Sequence, residues 1–242
     1  MSDPERAGGR LLVVSTPIGN LGDLSPRARE ALETADRIAC EDTRRTGALL
    51  AHLGLRRPMV SLHEHNERAR LPGLLEELER GAPIALVSDA GTPLLSDPGF
   101  LLVREAVARG IRVEPVPGAS ALLTALVVSG LPPYPFTFGG FPPPRSGKRR
   151  TYFRRLAALE HSFIVYESPH RILPILEAGN RPVAVARELT KLHEEVLRGS
   201  LAEVRATLAR RPAIKGELVV VVGPATEALP ADGEVEADSA EG

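Results

Sequence analysis

Short apolar segments alternate with helical patterns from one end of the chain to the other. The apolar segments predict ten strands, at residues 11–15, 37–40, 59–61, 84–88, 113–116, 136–139, 163–166, 183–187, 195–198 and 217–222. Several segments are apolar at successive positions, which is typical of a sheet covered by helices on both faces. The alternation therefore predicts an α/β fold whose first half pairs its strands mostly in parallel.

Helix signals lie between these strands. Leucines repeat at helical spacing over residues 71–78, which predicts a helix at residues 72–80. Ser25 and Asp97 are each followed by a proline, and such a pair predicts a helix N-cap followed by the first helical position. Two helices are therefore expected to begin at Pro26 and Pro98.

A turn-rich stretch at residues 115–118, Pro-Val-Pro-Gly, divides the chain into nearly equal parts. We expect an N-terminal α/β domain at residues 11–117 and a C-terminal α/β domain at residues 118–224, with a ligand cleft between them. Residues 1–10 are expected to be flexible. Residues 225–242 are expected to form a disordered acidic tail, because residues 226–242 contain six acidic residues and no Lys or Arg.

The composition is that of a globular protein. Of 242 residues, 43% are hydrophobic and 25% are charged, and the net charge is −1, which excludes disordered and collagen-like chains. The single cysteine, Cys40, excludes an internal disulfide and a cysteine-based zinc site, and it favours a reducing compartment. No apolar run approaches the roughly 18 residues that span a bilayer. We therefore expect a cytoplasmic protein with no membrane partner.

Three loops that follow predicted strands are rich in residues suited to ligand binding. They are residues 15–23, 88–99 and 117–121. In an α/β sheet ligands bind beyond the carboxyl ends of the strands, and glycines there let the backbone approach a ligand closely. The same residue types are ordinary turn formers, so each loop taken singly also fits a structural role. No G-x-G-x-x-G, complete P-loop or G-x-S-x-G motif is present to name the ligand.

Charged clusters also follow predicted strands. Residues 41–45, Glu-Asp-Thr-Arg-Arg, either supply reactive groups or cap a helix through Asp42 or Thr43. Residues 63–67, His-Glu-His-Asn-Glu, either bind a metal or hold surface and hydrogen-bonding histidines. Residues 166–171 and 186–191 place charged groups at the edge of the second sheet, where ion pairs within the protein are the alternative. The residues alone thus predict a two-domain α/β protein with a polar cleft and an unnamed ligand.

The same loops carry six motifs that occur together in one known family. In chain order they are S-T-P-I-G-N-L-x-D, C-E-D-T-R-x-T-G, H-x-H-N-E, L-V-S-D-A-G-T-P-L-x-S-D-P-G, Y-E-S-P-H-R and A-R-E-L-T-K. Together they resemble the small-subunit ribosomal RNA methyltransferase I family, which belongs to the tetrapyrrole methylase-like class. The resemblance runs from about Leu11 to Gly223. One motif would be weak, but six in the right order are specific.

The resemblance implies two α/β domains of the tetrapyrrole methylase type, with S-adenosylmethionine (AdoMet) in the cleft between them. It also implies a homodimer that methylates the 2′-hydroxyl of a cytidine in small-subunit (16S) ribosomal RNA, either free or within a ribosomal subunit. The cofactor contacts that it implies are Pro17, Ser88, Asp89, Ala90, Thr92, Leu95, Ser96, Ser120, Ala121, Tyr166, Ala186 and Gly216. This chemistry requires no metal.

Methyl transfer to a ribose hydroxyl needs an aligned donor and acceptor and a group that takes the hydroxyl proton. Among the matched motifs, the proton acceptor could be Glu41, Asp42 or Glu167, and we favour Glu41 or Asp42. A phosphate could be positioned, or developing negative charge stabilised, by Arg44, Arg187 or Lys191.

A basic cluster in the second half is the candidate contact for the RNA backbone. Its members are Arg145, Lys148, Arg149, Arg150, Arg154 and Arg155. Contacts to phosphates give salt-dependent affinity without sequence choice, and a solvated helix face is the alternative interpretation. Many family members continue past the last strand into a basic helical extension. If that extension helps to hold RNA, the acidic tail here predicts either a different way of binding the RNA or a greater use of the dimer surface.

Three other functions are compatible with the same residues. A methyltransferase of the same fold could act on a tetrapyrrole or another small acceptor. A metal-dependent phosphohydrolase could use His63, His65 and Asp89. A non-catalytic RNA-binding module would bind RNA whether or not AdoMet is present.

Overall fold

The computed structural model describes residues 9–176 and 181–225. The chain divides after Ala121 into two compact units, here called unit 1 and unit 2. The predicted flexible start and the predicted acidic tail lie outside the described residues, except at their inner ends. Within the described ranges, no helix is long and apolar enough to cross a membrane.

Unit 1 is built on a parallel sheet. Its strands are β1 (Arg10–Val14), β2 (Arg37–Cys40), β3 (Met59–Ser61), β4 (Ile84–Val87) and β5 (Arg112–Val116). Its helices are α1 (Pro26–Thr34), α2 (Thr43–His52), α3 (Glu67–Glu79) and α4 (Phe100–Ala108), with a short 3-10 helix at Leu21–Asp23. The five strands are ordered β3-β2-β4-β1-β5 and all run in one direction. The exits of β2, β4, β1 and β5 are therefore neighbours at one edge.

Both faces of the unit 1 sheet are covered. On β1, Leu12 and Val14 pack with α1 and α2, whereas Leu11 packs with α3 and α4. Each such buried aliphatic side chain contributes about 1.5–3 kcal/mol relative to its exposed state. This two-sided burial explains why the strands are continuous apolar runs in the sequence.

Unit 2 holds a mixed sheet. Its strands are β6 (Phe136–Gly140), β7 (Ser162–Glu167), β8 (Pro182–Arg187), β9 (Glu195–Ser200) and β10 (Leu218–Val222), in the order β6-β7-β10-β8-β9. β6 and β7 pair in parallel, and the other neighbours are antiparallel. The helices are α5 (Ala121–Val128), which begins at the boundary between the units, α6 (Ser146–Ala157), α7 (Ile172–Ile175) and α8 (Leu201–Ala209). The core of this unit joins α6, α7 and α8 to the sheet.

The sequence predictions of the α/β class, the ten strands and the parallel first half are confirmed, with strand ends that differ by at most two residues. The predicted cap of α1 is also confirmed, since the Ser25 hydroxyl accepts the N–H of Ala28 at 3.1 Å. The alternation of apolar segments and helical patterns was therefore sufficient for the architecture.

The predicted start of α3 at Pro72 is wrong. The helix begins at Glu67 and contains Pro72. A proline inside a helix leaves the carbonyl four residues earlier without its helical partner, which normally favours a break. Here the first turn is held from outside, because the buried Glu67 side chain is bonded to α4.

The predicted start of α4 beside Asp97 is also wrong. The helix begins after Gly99, whose φ of 111° is in the left-handed region that favours glycine. Its first turn is capped by the Glu67 carboxylate, which accepts the N–H groups of Leu101 and Leu102 at 2.9 and 3.2 Å. A cap supplied by a distant residue leaves no signal near Asp97 in the sequence.

Candidate active site

The three exit loops singled out in the sequence are joined at the carboxyl edge of the unit 1 sheet. Thr16 and Gly91 exchange two backbone hydrogen bonds, with N···O distances of 2.9 and 3.0 Å. The Thr92 hydroxyl donates to the carbonyl of Ala119 at 3.1 Å and lies 3.1 Å from the Ser15 hydroxyl. The strand order explains this contact, because β1 lies between β4 and β5. The three loops therefore form one polar surface.

The loop after β4 has a strained backbone. Leu94 and Ser96 have φ values of 73° and 77°, in the left-handed region, as do Gly91 and Gly99 at 84° and 111°. Each non-glycine residue in this conformation costs on the order of 1–3 kcal/mol, and such residues cluster at functional sites. The neighbouring loops must hold this shape, which marks the loop as a candidate site.

Asp42 is used at the start of α2. Its Oδ1 atom accepts the N–H of Arg44 at 2.8 Å, so the predicted helix cap is confirmed. The Arg44 guanidinium donates to both oxygens of the same carboxylate, at 3.0 and 2.7 Å. These bonds from Arg44 lower the pKa of Asp42 to about 2. A carboxylate held in this way is a weak proton acceptor.

Asp89 connects the exits of β2 and β4. Its Oδ1 atom accepts the backbone N–H of Asp42 at 3.0 Å. Its Oδ2 atom lies 3.5 Å from Nε of Arg45, whose side chain is 62% exposed. Asp89 therefore fixes the position of the Glu41–Asp42 segment relative to the strained loop.

Three carboxylates interact at this edge. Burial raises the pKa of Glu41, and the negative charge of Asp89 adds to the rise. Burial also raises the pKa of Asp97 to about 6, with the charges of Glu41 and Asp89 adding to it and a hydrogen bond with Ser88 opposing it. The region therefore has a negative potential that its own cations leave partly uncompensated. It favours a proton or a cationic ligand.

A cavity of about 340 Å³ opens beside these residues, within the size range of ligand pockets. Its lining contains Thr16, Pro17, Leu21, Arg45, Thr46, Ala48, Leu49, Ser88 and Asp89. Pro17, Ser88 and Asp89 are predicted cofactor contacts. Other predicted contacts lie on the same loops but outside this lining, namely Ala90, Thr92, Leu95, Ser96, Ser120 and Ala121, the last being the first residue of α5.

The His-x-His-Asn-Glu motif has a structural role in its second half. The Asn66 side chain accepts the N–H of His63 at 2.8 Å and donates to the carbonyl of Ser61 at 3.1 Å. Glu67 caps α4. The rings of His63 and His65 lie edge to face, with centroids 6.0 Å apart. In the described part of the chain, no group of three His, Cys, Asp or Glu residues is arranged to hold a metal.

The loop after β8 in unit 2 also has a strained backbone, but its charged side chains are paired with partners inside unit 2. Glu188 and Thr190 have φ values of 51° and 65°. The Glu188 carboxylate accepts from the Glu217 N–H at 2.9 Å and from Nζ of Lys191 at 3.0 Å. These contacts, the backbone bond first, lower the pKa of Glu188. Lys191, a predicted catalytic residue, is thus paired within unit 2.

Arg187, another predicted catalytic residue, is paired as well. Its Nε atom donates to Oε2 of Glu195 at 3.0 Å, and Arg211 donates to the same carboxylate. The bond from Arg211 comes first among the causes that lower the pKa of Glu195 to about 2. Arg187 therefore belongs to an ion-pair network on the β8–β9 hairpin.

The remaining predicted residues of unit 2 lie on its sheet or just before one of its strands. Tyr166 and Ala186 both face Val219 across β10, so they share one row of the sheet. Gly216 precedes β10 with a φ of 95°, and an added Cβ there would lie 2.5 Å from the Glu188 side chain. Glu167 is buried at the end of β7, where its Oε1 atom accepts the Ser168 N–H at 2.7 Å.

The predicted RNA-binding cluster lies at the start of α6 and along it. Arg145 is the N-cap residue of the helix, and the other five members are within it. The helix buries Leu156 and packs Tyr152 and Phe153 against the core, and five of the six cations are exposed whereas Arg149 is half-buried. The five exposed members are here called the basic surface of α6.

Sequence comparisons identify relatives over nearly the whole chain. The family model described as Tetrapyrrole (Corrin/Porphyrin) Methylases matches residues 10–205. The chain belongs to this family. A relative from Xylella fastidiosa, named ribosomal RNA small subunit methyltransferase I, is 51% identical over 226 residues, covering 90% of this chain and 83% of the relative. A relative of the same name from Mesorhizobium japonicum is 48% identical over 221 residues, covering 89% and 75%. The resemblance read from the motifs is confirmed.

Solved structures of two other proteins share the fold. A crystal structure of diphthine synthase matches with a TM-score of 0.69 and 17% identity, covering 89% of this chain and 90% of that one. The uroporphyrin-III-C-methyltransferase of Thermus thermophilus matches with a TM-score of 0.60 and 19% identity, covering 89% and 94%. At this identity the likeness shows the architecture alone.

Within this family fold, two side chains at the candidate site were missed by sequence reasoning. In the sequence Arg45 is only one member of a charged run, and Asp97 has the pattern of a helix cap. A signal was present for Asp97, since it lies inside the longest motif, after the two serines of the exit loop. Because Glu67 caps α4 in the structure, Asp97 is not needed as the cap, and its carboxylate instead interacts with those of Glu41 and Asp89.

Proposed function

We propose that this protein methylates the 2′-hydroxyl of a cytidine in small-subunit ribosomal RNA, in the cytoplasm, with AdoMet as the methyl donor. The broader activity, methylation of small-subunit ribosomal RNA, is the one named for relatives 45–51% identical to this chain. The ribose oxygen and the cytidine rest on the motif resemblance. The observation that carries the chemistry is the acidic, strained edge of the unit 1 sheet.

The residues at this edge fit AdoMet. The cofactor carries a positively charged sulfonium and an ammonium group. Asp89 lines the cavity, and Glu41 and Asp97 interact with it through their charges. When bound, AdoMet supplies a methyl group on a positively charged sulfur, which a nucleophilic oxygen can take. The joined exit loops offer Ser88 and backbone groups to hold the polar ends of such a ligand.

Glu41 is the proton acceptor that the contacts favour. Asp42 is occupied by the α2 cap and by Arg44, and its pKa of about 2 is far from neutral. Glu41 is half-buried and its pKa is raised, which brings it nearer to the working pH and makes it the better base. Glu41 would take the proton of the ribose hydroxyl, and bound AdoMet would supply the methyl group that the oxygen accepts.

The basic surface of α6 is the proposed contact for the RNA backbone. Lys148, Arg150, Arg154 and Arg155 are exposed. Their ammonium and guanidinium groups can neutralise phosphates and release counterions, which makes RNA binding weaken as salt rises.

A homodimer is the proposed assembly. Leu123 and Val127 lie one turn apart on α5 and are 50% and 75% exposed. A second copy would cover such apolar side chains. Light scattering should give the mass of a dimer, and Leu123→Glu should reduce it to that of a monomer.

The test of the function is a map of ribose methylation on small-subunit RNA from a strain that lacks this gene. One ribose methyl group on a cytidine should be missing and should return when the gene is supplied. An unchanged map, or a methyl group missing from a base instead, would contradict the proposal. Transfer of labelled methyl groups to a precorrin but not to ribosomal subunits would favour the small-acceptor alternative.

A further inference from the structure

Phe141 is a large aromatic side chain left open just after β6. It is 58% exposed. Its ring packs against that of Tyr166, with centroids 5.4 Å apart and planes tilted by 58°. Phe138 packs edge-on to the same Tyr166 ring at 5.0 Å. An exposed aromatic ring supported in this way is suited to hold an apolar or stacking partner.

The backbone around Phe141 fixes its direction. The pairing register of β6 with β7 shifts between Phe138 and Gly140, and Gly140 has a φ of 69°. Three consecutive prolines, residues 142–144, follow at once, and each locks its own φ. Phe141 therefore sits on a stiff segment, and little conformational entropy is lost when it binds.

The same segment leads directly into the basic helix α6. The Tyr152 hydroxyl packs under Gly139, where an added Cβ would lie 2.0 Å from it. Nη1 of Arg149 donates to the carbonyl of Pro144 at 3.2 Å. These contacts dock the helix on the strand that Phe141 follows and on the proline segment after it. Within residues 9–176 and 181–225, no ion pair is formed by Arg145, Lys148, Arg150, Arg154 or Arg155.

We infer that Phe141 is a stacking platform for one base of a single-stranded RNA segment, with the cations of α6 on the neighbouring phosphates. The inference rests on the proposed function, which makes RNA the substrate, and adds the residue that holds an unpaired base. Single-stranded RNA is bound by this combination of an open aromatic face and a basic track. RNA is favoured over another protein as the partner, because the helix that follows Phe141 carries the exposed cations Lys148, Arg150, Arg154 and Arg155.

The experiment measures binding of the full-length protein to a short single-stranded RNA in which one base is replaced by 2-aminopurine. Stacking on an aromatic ring quenches its fluorescence. Phe141→Ala and Phe141→Leu should bind about 10- to 100-fold more weakly and lose the quenching, whereas Phe141→Tyr should retain both. Leu keeps the apolar volume without the ring, so it separates stacking from simple burial.

Two further variants are matched controls. Phe100→Ala removes an equally open ring, 61% exposed, that lies under the Arg104 guanidinium in unit 1, and its RNA affinity should be unchanged. Lys148→Gln should lower the slope of log affinity against log salt by about 0.7, whereas Phe141→Ala should leave the slope unchanged. A phosphate contact and a stacking contact are thereby distinguished.

The inference would be overturned if Phe141→Leu bound RNA as tightly as the wild type, or if the wild type bound no RNA. It would also be overturned if light scattering showed that Phe141→Ala binds more weakly only because its dimer has dissociated. A loss of AdoMet affinity without a change in RNA affinity would also overturn it. The proposed function is judged separately by methyl transfer. A wild type that methylates ribosomal RNA, with Phe141→Ala binding RNA normally, defeats the inference alone, whereas Phe141-dependent binding without methyl transfer defeats only the proposed function.

Discussion

The loops after β4 and after β8 have similar backbones and opposite electrostatics. Each holds two non-glycine residues in the left-handed region, Leu94 and Ser96 in unit 1 and Glu188 and Thr190 in unit 2. Near the first loop, burial and mutual repulsion raise the pKa of Asp97 to about 6. At the second loop, a backbone N–H and Lys191 lower the pKa of Glu188.

Backbone strain alone therefore does not locate a reaction site. The β8 loop uses its charges internally, and its ion pairs offset part of the cost of its strained backbone. The β4 loop leaves carboxylates with too few cations, which costs stability in the free protein and favours a positively charged ligand or a proton. From this difference we infer that Glu188 and its neighbours in unit 2 stabilise the fold, whereas Glu41 and its neighbours bind the ligand and accept a proton.

Glu41→Gln should have the largest effect of the changes that test this contrast. Loss of the proton acceptor should reduce the rate of methyl transfer from labelled AdoMet to small ribosomal subunits by about 10²- to 10⁴-fold. The wild-type rate should fall as the pH drops below the raised pKa of Glu41, because the base must be deprotonated. The residual rate of the variant should lack this fall. Glu64→Gln, an exposed carboxylate nearby, is the control and should keep its activity.

Glu67→Ala should have the largest effect on stability. It removes a buried carboxylate that accepts two N–H groups of α4 and leaves those donors without a partner. The expected loss is about 2–4 kcal/mol in the free energy of unfolding, measured with urea. Glu67 lies in unit 1. A large loss of unfolding free energy would therefore show that a hydrogen-bonded carboxylate can stabilise unit 1 as the ion-paired carboxylates stabilise unit 2. A loss no greater than that of an exposed site would mean that the cap of α4 is unimportant.

Most of the fold and part of the site could be predicted from the sequence. Strands such as β4 were found because both of their faces are buried, and the exit loops were found because their glycines and prolines are local signals. The cap of α4 was missed, since Glu67 and Leu101 meet only in the folded chain. The raised pKa of Asp97 was missed for the same reason, because it depends on burial and on carboxylates distant in sequence.

Glu195→Gln tests the satisfied side of the contrast. The pKa of Glu195 is lowered to about 2 by Arg211 and Arg187, below its usual value of about 4.3. A lowered pKa means that its contribution to stability is present above about pH 4.3 and is lost as the pH falls toward 2. The ion pairs are partly exposed, so the variant should lose about 1 kcal/mol of unfolding free energy near neutral pH. The difference in unfolding free energy between the variant and the wild type should become smaller in acid. A gap independent of pH would contradict the ion-pair explanation.

Asp97→Asn should have the smallest effect, with the opposite sign. Because the folded protein raises the pKa of Asp97 to about 6, the charged form destabilises the fold above that pH, and protonation removes this penalty as the pH falls toward the unfolded value. Discounted for solvent screening, the neutral variant should be about 1 kcal/mol more stable than the wild type near pH 7.5 and no more stable near pH 4. Urea unfolding of this variant and of Glu195→Gln compares the two loops directly. The changes in unfolding free energy relative to the wild type should have opposite signs, and both changes should become smaller in acid. If Asp97→Asn destabilised the protein near neutral pH, the carboxylate would have partners like those in unit 2, and the chemical assignment of the β4 loop would lose its electrostatic basis.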